Sequence, residues 1–335
     1  MLTQLGHGDL ARLFQMNRSN HDVKSEMNRL SQELATGRKS SIAEAVGGDF
    51  APITSIEMTL SRNAAFQTAS TEAANFASVM QHAFQTISSF GAKSASNLLN
   101  ASQAAQPELI GTAAADTAAR LQPVLAALNT EFGGRSVFAG EDVSGPAVAD
   151  APTLMAGLSA ATAGATDVAS LMAAVDAWFD PGGGFETTVY LGSTTPLDSV
   201  DIGQDVSADL GFTAFDSELR DTLKGIALAG LIADGALAGD TAARAELMQR
   251  AGETLIEGES GLTQLQARLG TVEELIEEAD AARTAESSAL TMTRASLLEV
   301  DPYETASRLQ QVQTQLETIY AMTARMQSLS LVNYL

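Results

Sequence analysis

The chain has 335 residues, 45% hydrophobic but only 5% aromatic, so a substantial core can be buried and wholesale disorder is excluded. Its 41 acidic residues against 19 basic ones give a net charge of −22, which repels nucleic acid and anionic lipid. With no cysteine, disulfides, thiolate metal sites and a cysteine nucleophile are excluded too.

The opening residues, Met1 to Asp9, have neither the basic start nor the apolar run of a secretory leader. If the protein leaves the cell, the expectation is export without a cleaved signal peptide. No apolar run reaches the ~18 residues of a transmembrane helix. From Leu10 to Thr36 the pattern is helical. Leu13, Met16, Val23, Met27, Leu30 and Leu34 step by threes and fours, with Asn20 in one slot, which places a coiled-coil-like stripe on one face. Arg18, Lys24, Glu26 and Glu33 fall off that stripe. Gly37 stops the helix, and Ser40 to Pro52 reads as an irregular connector.

Ile53 to about Gln106 predicts an unusually long helix, with Phe66, Ala69, Ala73, Phe76, Met80, Ala83, Ile87 and Phe90 on its apolar face. Pro107 opens a following helix to about Thr130 that buries Leu121, Val124, Leu125 and Leu128. Phe132 to Asp150 is rich in glycine and predicts turns with short strands. Pro152 to Asp180 predicts an alanine-rich helix, and Pro181 to Gly184 a turn. Thr187 to Leu191, then Val200, Ile202 and Val206, alternate β-branched and polar residues and predict strands. Helix returns at Asp216, breaks near Gly235 and Gly239, and resumes from Thr241 to Val300. In that last stretch Leu262, Leu265, Leu269, Val272, Ile276 and Ala279 are apolar, and Arg283, Glu286 and Thr293 make the seam polar. Asp301-Pro302 interrupts it. Tyr303 to Leu335 carries a final stripe of Leu309, Val312, Leu316, Ile319 and Met326 and ends in Leu329, Leu331, Val332, Tyr334 and Leu335.

The expected fold is mainly α. The N- and C-terminal segments form a long antiparallel bundle or coiled coil, and a small α+β insert sits centrally. Neither terminal helix can bury its stripe alone, so the two are expected to pair, with leftover apolar surface going to another copy. The expected organisation has three parts. Residues 1–40 with 303–335 form a terminal helical assembly domain, 41–139 with 216–302 a long helical bundle, and 140–215 a small α+β outer domain. The sixteen stripe residues of the two ends, Leu13 to Leu34 and Leu309 to Leu335 as named above, are the expected assembly interface.

No chemistry is legible beside this. His7, His21 and His82 match no metal-ligand spacing. Asp198, Asp201 and Asp205 lack the glycine and terminal glutamate of an EF-hand loop. The run Glu273, Glu274, Glu277, Glu278 and Asp280 reads as a solvated helix face. Nucleophile-elbow, Walker A and zincin motifs are missing. The expectation is a structural subunit, with no catalytic residues, metal or cofactor.

Three segments carry a resemblance. Met27-Asn28-Arg29-Leu30-Ser31-Gln32-Glu33-Leu34-Ala35-Thr36-Gly37-Arg38-Lys39 resembles the N-terminal signature of the bacterial flagellin family. Phe132-Gly133-Gly134-Arg135-Ser136-Val137-Phe138-Ala139-Gly140 resembles the segment at which such chains enter their central domain. Leu329-Ser330-Leu331-Val332-Asn333-Tyr334-Leu335 is most like the ending of that family's hook–filament junction branch, its hook-associated proteins. Ser41 to Phe50 departs from the Asn/Asp-rich stretch usual after the signature.

The resemblance implies a structural, non-enzymatic role in the extracellular flagellum, joining hook to filament, with flagellin itself as the first alternative and a non-flagellar coiled-coil surface protein as the second. It implies as partners copies of the same chain, the hook-side junction protein, flagellin and an export chaperone. It also implies terminal segments, Leu13 to Leu34 and Leu309 to Leu335, that fold only on assembly.

Overall fold

The computed structural model describes residues 5–332, with side chains at 11 and from 14 to 325. The architecture is mainly α, as the periodicity predicts. Ten helices alternate with two small two-stranded sheets among the described residues. Helix α1 covers Leu5–Thr36, α2 Ile42–Ala45, α3 Ala51–Ala104, α4 Pro107–Ala118 and α5 Leu121–Leu128. Helix α6 covers Ala151–Thr162, α7 Val168–Phe179, α8 Ser217–Ala233, α9 Thr241–Leu298 and α10 Pro302–Val332. The chain divides into two compact units, residues 64–283 and the termini, 1–63 with 284–335.

The central unit has one continuous core. The predicted faces of α3 and α9 are buried: Ala73, Phe76, Met80, Ala83 and Ile87 on one, Leu262, Leu265, Leu269 and Ile276 on the other. Helix α8 is buried all round from Gly225 to Ile232, where its sequence is apolar on every face. Phe84 is wholly enclosed, with Phe138 at 5.4 Å and Phe212 at 5.8 Å between ring centroids. Arg283 breaks the apolar seam of α9 yet is fully used. Its guanidinium donates to Ser70 Oγ at 2.8 Å, to Asp280 Oδ1 at 3.0 Å and to the Ile202 carbonyl, tying α3, α9 and the loop at 202 together.

Local signals explain most boundaries. Helix α4 begins on Pro107 and ends at Ala118, so the stretch to Thr130 is two helices rather than one, and all four predicted core residues of α5 are buried. The predicted helix over 152–180 is also two, because Asp167 and Ser170 form a reciprocal capping box that starts α7 afresh. Strands β1 (Glu131–Phe132) and β2 (Arg135–Ser136) pair antiparallel across the Gly133-Gly134 turn. Strands β3 (Val200–Asp201) and β4 (Ser207–Ala208) form the second hairpin.

The strand predicted over Thr187 to Leu191 is not one. Phe185–Val189 forms a single π-helical turn, and Tyr190 makes only an isolated bridge with Val148. Two features override the β-branched run. Phe185 and Val189, four apart, are both buried on one side of the turn. The hydroxyls of Thr187 and Thr188 donate back to the Gly183 and Gly184 carbonyls, at 3.0 and 2.6 Å. Gly184 allows this turn to pass under Trp178, since a Cβ there would stand 1.9 Å from the indole nitrogen.

Candidate assembly surface

In the terminal unit α1 lies antiparallel to α10. Thr323 Oγ1 donates to Met16 Sδ at 3.8 Å, and Lys24 Nζ sits 5.5 Å from the centre of the Tyr320 ring. The expected pairing of the two ends is therefore present. Val23 and Leu30 are buried, and Met16, Met27, Leu309, Val312, Leu316 and Ile319 are half-buried. Leu34 stays exposed. Leu13 lies in α1, but its side chain is outside the described set, as are those of Met326, Leu329, Leu331, Val332, Tyr334 and Leu335. A two-helix seam covers only one side of each stripe, which is why most of these residues remain part-exposed.

The turn after α1 is built by residues that the stripe pattern does not single out. Gly37 takes φ +70°, and its N–H donates to the Glu33 carbonyl at 2.8 Å. Lys39 N–H donates to the Leu298 carbonyl at 2.9 Å and Val300 N–H to the Gly37 carbonyl at 3.2 Å, stitching the turn to the α9–α10 junction. Arg29 holds it from below. Its guanidinium meets Glu33 at 2.9 Å, Glu44 at 2.8 Å and Glu26, while Glu33 also accepts the Ser40 N–H at 2.8 Å. Glu33 is thus buried rather than solvated. The hydrogen bond from Arg29 holds the Glu26 carboxyl below its usual range, and the same partners push Arg29 further into its charged form. The signal was available in sequence as Glu26, Arg29 and Glu33 at i, i+3 and i+7. Their convergence with Glu44 and Ser40 was not, because it depends on the path of the connector.

Helices α3 and α9 form the second seam of this unit. Ile53, Ile56 and Asn63 are buried, with Asn63 Nδ2 donating to Glu286 Oε2 at 2.9 Å and to Ser287 Oγ at 3.3 Å. Arg294 pairs with Glu57 at 3.1 Å nearby. The outward faces are apolar to an unusual degree. Phe14 is 74% exposed, Met58 69%, Met292 72% and Tyr303 86%, and Ile42, Phe50, Tyr320 and Met322 are exposed as well.

Residues 1–63 and 284–335 carry ten Lys/Arg against twelve Asp/Glu, a net of −2. Residues 64–283 carry nine against twenty-nine, a net of −20. An apolar and nearly neutral surface can approach a copy of itself without a large Coulomb cost.

The central unit offers open grooves. An open groove of about 450 Å³ along α3 and α4 is lined by Asn97, Asn100, Leu109, Thr112 and Asp116. Its one carboxylate, Asp116, is already paired with Arg120 at 2.8 Å. Asp216 is pushed up by burial, and Thr213, just ahead of α8, donates both N–H and hydroxyl to it, at 3.3 and 2.9 Å. Burial also raises the Tyr190 hydroxyl to about 12. Among the described residues no three His, Asp or Glu side chains gather as a metal site, and no helix is long and apolar enough to cross a membrane.

Residues 256–335 match the family model of the bacterial flagellin C-terminal helical region. No curated protein matches the chain by sequence. Among solved structures, a protein assigned as a flagellar hook-associated protein in Vibrio parahaemolyticus is similar, with a TM-score of 0.53 at 11% identity, over 72% of this chain and 94% of that one. FlgL of Bacillus cereus is similar at a TM-score of 0.51 and 13% identity, over 71% of this chain and 97% of that one. At these identities the likeness is one of fold. The family model and the shared fold bear out the resemblance drawn from the terminal motifs.

Proposed function

We propose that this chain, whose residues 256–335 match the bacterial flagellin C-terminal helical region, is a structural subunit of the flagellum at the junction between hook and filament. It works by assembly and not by catalysis. The observation that carries this reading is the α1–α10 pair, whose stripes meet yet stay half exposed while Phe14 on one helix and Tyr303 on the other are open to solvent. Such a surface is costly for a lone chain and is completed by helices from other copies. On this reading residues 1–40 and 303–335 are the inner assembly domain, 41–139 and 216–302 the helical bundle behind it, and 140–215 the outer domain. The assembly interface comprises the stripe residues from Leu13 to Leu34 and from Leu309 to Leu335. The partners are further copies, the hook-side junction protein and flagellin, with an export chaperone before assembly, and the site of action is extracellular.

The junction is preferred over the bulk filament because of the ending Leu329 to Leu335 and the fold shared with hook-associated proteins. The flagellin reading is kept because the matching family model is that of flagellins. Deletion of Tyr303 to Leu335, in a strain lacking the intact copy, tests the proposal. Hooks without filaments, with flagellin shed into the medium, are the expected result, and normal filaments would refute it. Growth of long homopolymers from the purified chain would favour flagellin instead.

A further inference from the structure

With no cysteine in the chain, its 11 methionines hold all of its sulfur. Their exposure is uneven. In residues 64–283, Met80 and Met248 are fully enclosed and Met155 and Met172 are half-buried. The exposed ones among the described residues all belong to the terminal unit: Met58 at 69%, Met292 at 72% and Met322 at 57%.

The α3–α9 seam relates the first two. Asn63 meets Glu286 and Ser287, and Glu57 meets Arg294, so the helices run antiparallel and Met58 and Met292 stand at one level. Met58 lies two residues from buried Ile56, and Met292 two residues from Arg294, which reaches across to Glu57. Two residues turn an α-helix by about 200°, so each methionine points away from the partner helix, one on either outer side of the pair. The positions three and four residues from each hold only small residues or, at Arg62, a charge. Each methionine is thus the one large apolar side chain on its stretch of helix face.

A thioether so placed is open to peroxide. Sulfur takes one oxygen: the S–O bond forms, the O–O bond breaks, sulfur loses two electrons, and the reduced peroxide leaves as water. The sulfoxide is polar, and burying it against apolar surface without a donor costs free energy that the thioether does not.

We propose that Met58 and Met292 are a paired oxidation site, through which hydrogen peroxide turns off the packing of the α3–α9 pair against a second copy of this chain. The occupant is a copy for two reasons. Residues 1–63 and 284–335, with ten basic against twelve acidic residues, have a net charge of only −2, so like surfaces approach at little Coulomb cost. Two unlike faces at one level are what a head-to-tail contact between identical subunits brings together. The effect on packing rests on the assembly reading above, whereas the selectivity of oxidation is a property of the single chain.

The full-length chain, taken as the monomeric fraction, is treated with hydrogen peroxide and followed by peptide mass spectrometry. Met58 and Met292 should gain oxygen at least about tenfold faster than Met80 and Met248. Comparable rates at all four overturn the site. The effect on packing is tested in cells with two double variants replacing the intact copy, Met58→Gln with Met292→Gln, and Met58→Leu with Met292→Leu. Glutamine is unbranched and as good a helix former as methionine, but it is polar like the sulfoxide. Filament-bearing cells should fall about tenfold with the glutamine pair and stay at the parent's level with the leucine pair. Parental filaments with the glutamine pair, or their loss with the leucine pair as well, overturn the proposed effect. Deletion of Tyr303 to Leu335 reads the assembly reading alone, so its failure would leave the peroxide selectivity standing, and the reverse.

Discussion

Among the described residues, every buried hydrophobic one except Val23, Leu30, Ile53, Ile56 and Val300 lies in 64–283, a stretch that also carries a net −20 of the −22 charges. The terminal segments invert both properties, being nearly neutral and showing Phe14, Ile42, Phe50, Met58, Met292, Tyr303, Tyr320 and Met322 to solvent. The difference teaches where each half finds its stability. The central unit has enough apolar residues facing one another to close a core within one chain. The terminal helices present long stripes to a single partner helix, and a two-helix seam cannot enclose a stripe on both flanks.

The sharpest way to break this contrast is a cavity in the central core. Phe84→Ala should cost about 3–5 kcal/mol and lower the thermal transition reported by Trp178, the only tryptophan. A loss below about 1 kcal/mol would mean that the central core is not close-packed. Gly184→Ala should cost about 1–3 kcal/mol by forcing Trp178 aside, and a shifted Trp178 emission would mark it. In the terminal unit Arg29→Ala leaves buried Glu33 without its cation and should cost about 1–3 kcal/mol. Its effect should appear as faster proteolysis at the 37–41 turn, with the Trp178 transition unmoved.

Acid should separate the units with opposite signs. Glu26 has its folded-state pKa lowered by the Arg29 hydrogen bond, so its contribution is present above its ordinary value of 4.5 and is lost as pH falls through the depressed value. Asp216 has its pKa raised by burial, so its contribution is present below its ordinary 3.8 and is lost as pH rises through the elevated value. Lowering the pH through the carboxylate range therefore weakens the Arg29 cluster and relieves the strain at Asp216. Peptic cleavage within 14–34 should accelerate on acidification, and Asp216→Asn should flatten the acid response of Trp178. The smallest effect is expected at Phe14→Ala, which should change the free chain by less than about 0.5 kcal/mol while impairing assembly.

The sequence was most readable where one signal dominated. Leu262, Leu265, Leu269 and Ile276 repeat at helical spacing and are buried, and Gly37 and Pro302 mark helix boundaries within a residue. The motifs at 27–39 and 329–335 carried the resemblance, and the matched region, 256–335, includes the second of them. The reading failed where tertiary contacts outvoted local preference. Thr187 and Thr188 look like strand residues, yet Trp178 and the glycines beneath it favour a π turn. Glu33 looks like a solvent residue until Arg29 and Ser40 N–H converge on it. Asn20 is visible as a gap in the stripe, but the burial of its Oδ1 without a hydrogen-bond partner is not.

Hydrogen exchange on the wild-type chain, free and then assembled, tests the central claim most directly. The account predicts strong protection over 73–276 in both states, and weak protection over 14–34 and 305–323 in the free chain that rises on assembly. Equal protection of the terminal helices and the central core in the free chain would contradict it.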